Sequence, residues 1–239
     1  MKTIKPIKTG DEIFNDYGEI PRADLLRRYG YVTDNYSQYD VVELSLTNIC
    51  QAAGLPNADV ESQPPVLHLI PATSSADCLQ LNLLEDLELL DDGYAIPRPS
   101  PEDSAADILS DELLILLKTL TLSSQELNKQ KSKSKPPKPV LGQAEAAILR
   151  KAVSLKRAEY ATDLSQDRTL LADLKQPGPL EGSSRRRKMA IEVRIGEKEI
   201  LDALIATLDN PAPAAANGSA KRSANGDDTE SRTAKAQKV

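Results

Sequence analysis

Six of the eight phenylalanine and tyrosine side chains of this 239-residue chain lie between Phe14 and Tyr39, and tryptophan is absent. Such a concentration marks either a site or the edge of a core larger than this stretch. Residues 1–39 are also turn-rich. Over the whole chain, 40% hydrophobic residues is enough for a core, and the length allows one medium domain with appendages. Some stretches, however, are too polar to join that core.

The formal charge of −6 is unevenly spread. Residues 129–138 carry five lysines and no acid, and residues 210–239 carry five bases against three acids. About −13 therefore sits on the remainder, with acidic clusters at Glu85, Asp86, Glu88, Asp91 and Asp92 and again from Glu102 to Glu112. An acidic surface favours basic partners and disfavours nucleic acid. It also serves simply to keep a protein in solution, and both readings stand.

Two cysteines, Cys50 and Cys78, make neither a disulfide framework nor a zinc cluster. The one histidine, His68 in Pro-Pro-Val-Leu-His-Leu-Ile, reads better as a structural side chain than as a ligand. Ser/His/Asp hydrolysis, Cys/His proteolysis and histidine metal sites thus lack support, and no metal is expected. The start, Met1-Lys2-Thr3-Ile4-Lys5, has no apolar h-region, and no run reaches membrane-spanning length. An intracellular, soluble protein is expected, in the nucleus, the cytoplasm or both, with no membrane contact.

The elements follow from periodicity and caps. Asp40 can N-cap a helix through Val41, Leu44, Ile49 and Ala52 that Gly54 and Pro56 stop. A Pro/Ser-rich loop comes next, and Leu87 to Ile96 reads as a hairpin turning at Asp92-Gly93. Ser110 caps a helix with Leu113, Leu114, Leu116, Leu117 and Leu120, apolar on nearly every side and so expected to be buried; Asp111 and Glu112 sit at its positive end. Residues 129–139 are a Lys/Ser/Pro loop with no reason to order. Helical spacing returns from Gln143 to Tyr160, and a shorter helix covers Ser165–Lys175, ending at Pro177-Gly178-Pro179. The last helix runs from Lys188 to Leu208 with Val193, Gly196, Ile200, Leu204 and Leu208 on one face. Gly196 costs about 1 kcal/mol there relative to alanine, which is easier to accept where another backbone crosses closely. Beyond Asn210 the Ala/Pro/Ser/Gly-rich tail is expected to be disordered.

Two segments near the start stand out: Gly10-Asp11-Glu12-Ile13-Phe14-Asn15-Asp16-Tyr17-Gly18 and Leu25-Leu26-Arg27-Arg28-Tyr29-Gly30-Tyr31. By composition the first is a turn, a short strand and a second turn. The second is a helix end that Gly30 reverses. The first resembles the closing motif of a SET domain. The Tyr-Gly-Tyr-Val element that follows it resembles the subclass related to Rubisco large-subunit methyltransferase, which includes fungal ribosomal-protein lysine methyltransferases. At the far end, the segments Tyr160–Asp167 and Arg187–Leu201 are similar to the last two motifs of that subclass's substrate-binding domain. The resemblance covers about residues 1–209.

It implies a mainly α chain: residues 1–39 as a short α+β remnant of a SET fold, residues 40–209 as a helical substrate-binding domain with the disordered loop 129–139, and residues 210–239 as a disordered tail. It also implies methyl transfer from S-adenosylmethionine to a lysine amine. Tyr17 falls at the catalytic tyrosine, Tyr29 at a cofactor contact and Tyr31 beside the adenine. Free lysine titrates near 10.4, so neutralising its amine near pH 7.4 costs roughly 4 kcal/mol, and burial beside a cationic sulfonium lowers that cost. A neutral tyrosine hydroxyl at the channel can orient the amine without itself titrating. Without the resemblance, Tyr17, Tyr29 and Tyr31 read as core aromatics.

The glycine-rich cofactor loop and the Asn-His motif of the family precede its closing motif, and nothing before Gly10 resembles either. The chain alone is therefore expected to be inactive and to hold the cofactor poorly, as the C-terminal part of a methyltransferase. The alternatives are a short product acting as a helical protein-binding module and an unrelated helical adaptor. The partner implied is a lysine-bearing protein, a basic ribosomal protein or a histone being compatible with the acidic body; the oligomeric state is open. Arg185-Arg186-Arg187-Lys188 has three readings: a nuclear localisation patch, a contact for an acidic partner, and a solvated loop before the last helix.

Overall fold

The computed structural model describes residues 6–13, 17–55, 79–100, 102–174 and 182–209. The expectations for Phe14, Asn15, Asp16, the loop after Gly54, His68, Cys78, the Pro177-Gly178-Pro179 stop and the tail from 210 onward lie outside the described residues. Within them the chain is mainly α, with one two-stranded sheet.

In order, the elements are α1 (Arg22–Tyr29), a 3-10 turn (Asp34–Tyr39), β1 (Val41–Ser45), α2 (Leu46–Ala53), α3 (Leu79–Asp86), β2 (Gly93–Pro97) and α4 (Ala105–Ile108). Then come α5 (Asp111–Thr121), α6 (Ser124–Lys133), α7 (Gln143–Ala158), α8 (Leu164–Asp173) and α9 (Gly182–Asp209). The centre is aliphatic. Leu113, Leu116 and Leu117 of α5, Leu149, Ala152 and Val153 of α7, and Ile200, Leu201 and Leu204 of α9 are buried around the inner face of the sheet, Val42, Leu44, Tyr94 and Ile96. Each fully buried Leu or Ile contributes about 1.5–3 kcal/mol relative to exposure, so this cluster dominates the stability of the body.

α5 is the buried helix expected, and the Ser110 hydroxyl accepts from the Leu113 amide at 3.2 Å. α7 begins where its spacing predicts. Buried Glu145, in its first turn, accepts from the Gly142 amide at 3.0 Å, from Lys118 at 3.0 Å and from the Thr121 hydroxyl at 2.5 Å, joining the end of α5 to the start of α7.

Other expectations are corrected. Residues 41–45 form a strand, not the first turn of a helix. Val42 and Leu44 alternate inward with period two, and the helix starts only after Ser45, whose hydroxyl accepts from the Asn48 amide at 3.2 Å. Asp92-Gly93 does not turn a hairpin. Residues 87–90 instead close α3 in a Schellman motif, with Glu88 left-handed at φ 56°, the Glu88 amide on Glu85 and the Leu89 amide on Leu84. β2 pairs antiparallel with distant β1, Val42 opposite Ile96 and Leu44 opposite Tyr94. The lysine-rich segment is not wholly a loop: α6 carries Lys129, Lys131 and Lys133 and ends at Ser134 in the left-handed region, because the Ser123–Glu126 capping box nucleates the helix. Residues 11–13 are not a strand. α9 starts at Gly182, so Arg185 to Lys188 are helical, with the three arginines exposed, rather than a loop.

Candidate functional site

The tyrosines expected to carry chemistry stand at the amino-terminal edge of this body. Pro21 precedes α1, and Gly30 ends it at φ 72°, its amide donating to the Leu26 carbonyl at 3.0 Å. That reversal presents Tyr29 at the surface, 45% exposed. Gly18, just after Tyr17, takes the left-handed region at φ 76°. Tyr17 is half-buried and stacks on Tyr29 with ring centroids 4.0 Å apart and planes 29° from parallel. Tyr31, just past Gly30, is half-buried. The structure therefore pairs Tyr17 with Tyr29. Upstream, Ile13 is 76% exposed and Ile7 45% exposed.

For S-adenosylmethionine these residues do not make a site by themselves. The Tyr17 and Tyr29 rings cover one face of each other, and Tyr29 is open to solvent. Among the described residues no group of three His, Cys, Asp or Glu side chains could hold a metal ion, and no helix is long and apolar enough to cross a membrane.

Behind the tyrosines lies an ionic cluster that the sequence reading missed. Asp40, expected to cap a helix of its own, instead caps α1 across space: its Oδ1 accepts from the Arg22 amide at 3.0 Å. Its Oδ2 accepts from Arg22 Nε at 2.9 Å and Nη2 at 2.6 Å. Both residues are buried. Burial opposes the charge on Arg22, but the hydrogen bond and attraction of Asp40 outweigh it and raise the guanidinium's pKa. Arg98, just past β2, approaches Asp40 Oδ2 at 3.5 Å, donates to the Ser37 carbonyl at 3.1 Å and reaches Glu199 of α9 at 3.2 Å. Arg22, Asp34, Ser37, Arg98, Glu192 and Glu199 help to line an open groove of about 430 Å³ beside it.

Gly196 explains itself here. A Cβ at this position would lie 2.6 Å from both Arg22 Nη2 and Asp40 Oδ2. The close neighbour is an ion pair, not the crossing backbone expected from sequence. The helix-interior glycine was the available signal, but it could not name the partner.

A second network joins the two far-end segments. Lys198 of α9 has no exposed surface, and its Nζ donates to Asp167 Oδ2 at 2.5 Å, to the Thr162 carbonyl at 2.5 Å and to the Thr162 hydroxyl at 3.1 Å. It also lies 5.1 Å from the Tyr160 ring centroid. Arg194 donates to both Asp167 oxygens. Burial opposes ionisation of Asp167, yet the hydrogen bonds from Arg194, Lys198 and Thr162 prevail and hold its carboxyl down at about 2. The Tyr160 hydroxyl donates to Glu197 at 2.8 Å, and burial together with that carboxylate pushes its pKa well up.

A helical body with this ordered pair of segments at its far end is matched by the family described as Rubisco LSMT substrate-binding, over residues 76–201. That is more than half of the chain, which therefore belongs to this family. Among curated proteins, the chain is 28% identical over 221 residues to N-lysine methyltransferase SETD6 of Bos taurus, covering 86% of this chain and 45% of that protein. It is 27% identical to the Homo sapiens protein of the same name, over 86% of this chain and 42% of that one. Ribosomal lysine N-methyltransferase 4 of Saccharomyces cerevisiae is 44% identical over 52 residues, 22% of this chain and 10% of that protein. The chain thus spans less than half the length of these relatives.

Proposed function

We propose that this chain is the C-terminal portion of an S-adenosylmethionine-dependent protein-lysine N-methyltransferase, supplying the catalytic tyrosine motif and the protein-substrate-binding domain. The observation that carries the reading is the order of parts. A Gly10–Gly18 segment bearing Tyr17, stacked on the surface residue Tyr29, is followed by a substrate-binding family match over residues 76–201. The relatives named as lysine methyltransferases support it. In this reading Tyr17 orients the substrate amine, Tyr29 and Tyr31 contact the cofactor, and the cofactor supplies the electrophilic methyl group. Residues outside the 239 complete the cofactor site, so the chain alone is inactive. The acidic body recruits a lysine-bearing protein, a basic ribosomal protein being one candidate that the yeast relative's name supports. The protein works in the nucleus, the cytoplasm or both. Residues 1–39, 40–209 and 210–239 act as the SET remnant, the substrate-binding domain and the tail.

One observation favours a second reading, a helical protein-binding module without catalysis. The main core cluster of described residues runs from Val42 to Leu204 and uses no side chain of the first 41. Calorimetric titration with S-adenosylmethionine of this chain, and of a version extended upstream through a SET region, separates the two. Binding by the extended protein alone, with methyl transfer lost in its Tyr17→Phe variant, is the expected result. Binding by the short chain overturns the division of the cofactor site, and binding by neither favours the module.

A further inference from the structure

We propose that Arg22, Asp40 and the bare backbone at Gly196 form a positioning joint that fixes α1 on the helical body and so sets the orientation of the Tyr17–Tyr29 pair. The positioning role rests on the reading of Tyr17 given above; the joint itself does not.

Among the described residues, two side chains of helix α1 are buried, Leu25 and Arg22. Leu25 is fully buried, but an apolar contact is non-directional and leaves a short helix able to roll. Arg22 supplies the direction. Its side chain forks onto one Asp40 oxygen while its backbone amide donates to the other. The carboxylate thereby holds both the first residue of α1 and the positive end of its dipole. Charge-assisted bonds of this kind are short and directional.

Asp40 is in turn fixed from the body. Its carbonyl accepts from the Arg98 amide at 3.1 Å at the end of the β1–β2 ladder. The Arg98 guanidinium reaches Glu199 and, at 3.4 Å, the Gly196 carbonyl. The pair fits against α9 only because position 196 has no side chain. From α9 the chain of contact runs through Gly196, Arg22 and α1 to Tyr29, and by ring stacking to Tyr17.

Two substitutions test this by different routes. Asp40→Asn keeps the shape and removes the charge. Gly196→Ala displaces the ion pair, yet alanine is the better helix former, so α9 itself gains. Amide exchange read by mass spectrometry on the 239-residue chain should show residues 22–29 exchanging about tenfold faster or more in both variants, with α5 and α7 changed less than about twofold. Because the chain has no tryptophan, near-ultraviolet circular dichroism reports tyrosines directly. The part of that signal abolished by Tyr17→Phe should fall by more than about half in both variants. Unchanged exchange in α1 with an unchanged Tyr17 signal overturns the joint. Uniform loosening of α1, α5 and α7 in both variants overturns it too, since the cluster is then a general stabiliser. If the joint behaves as expected but Tyr17→Phe leaves the extended protein's methyl transfer intact, only the functional reading falls.

Discussion

Lys198 has no exposed surface and is held by Asp167 and by oxygens of Thr162 and Asp163. Removing one partner of a buried pair strands the other, at about 3–5 kcal/mol. Asp167→Asn should therefore destabilise the fold on that scale. Lys198→Met should cost less, because Arg194 still neutralises Asp167. Urea denaturation of both variants measures the asymmetry. The pH dependence has a defined sign. Asp167 is depressed in the folded state from 3.8 to about 2, so its ionisation stabilises the protein fully above 3.8. That contribution is lost as pH falls through about 2, and in Asp167→Asn this part of the acid transition should vanish. None of the partnership was readable in sequence, where Lys198 sits in an ordinary charged run, Gly196-Glu197-Lys198-Glu199. Periodicity says which face a residue occupies and nothing about which acid waits there. Tyr17 and Tyr29, by contrast, stood out in sequence as motif residues, and the structure stacks them.

At the scale of elements, agreement with sequence depended on whether the deciding contact was local. α5 and α7 were legible because their caps and apolar faces lie within a few residues of each other. β1 was not, because its pairing partner lies some fifty residues away at β2. Helical spacing through Val41, Leu44, Ile49 and Ala52 outweighed the two-residue alternation of Val42 and Leu44. The local signal for the switch was Ser45, the cap that ends the strand and begins α2. Ser45→Ala removes an acceptor from the Asn48 amide and should cost about 1 kcal/mol, lowering the thermal midpoint by a few degrees in calorimetry. The Leu46 amide keeps its bond to the Asp92 carbonyl at 2.8 Å, so the strand pairing should survive.

For the molecule as a whole, the aliphatic core and the aromatic edge are separable. The first 39 residues give the described body Leu25 and the Arg22 ion pair but nothing to its main cluster. A chain beginning at Asp40 should keep its helical circular dichroism and a single cooperative unfolding transition. Its midpoint should be lower, since Asp40 loses Arg22 and keeps only Arg98 nearby. Loss of cooperativity would mean that α1 belongs to the core after all.

The β1–β2 ladder has one more consequence, for how such a chain can change in length. It staples residues 41–45 to residues 93–97 and so closes a loop whose entropic cost is largely met already. Doubling that loop would add only about 0.6 kcal/mol. Sequence added to a flexible part of a loop closed in this way is therefore accommodated at small cost. Gly196 stands at the other extreme, since a single added methyl group meets Arg22 and Asp40.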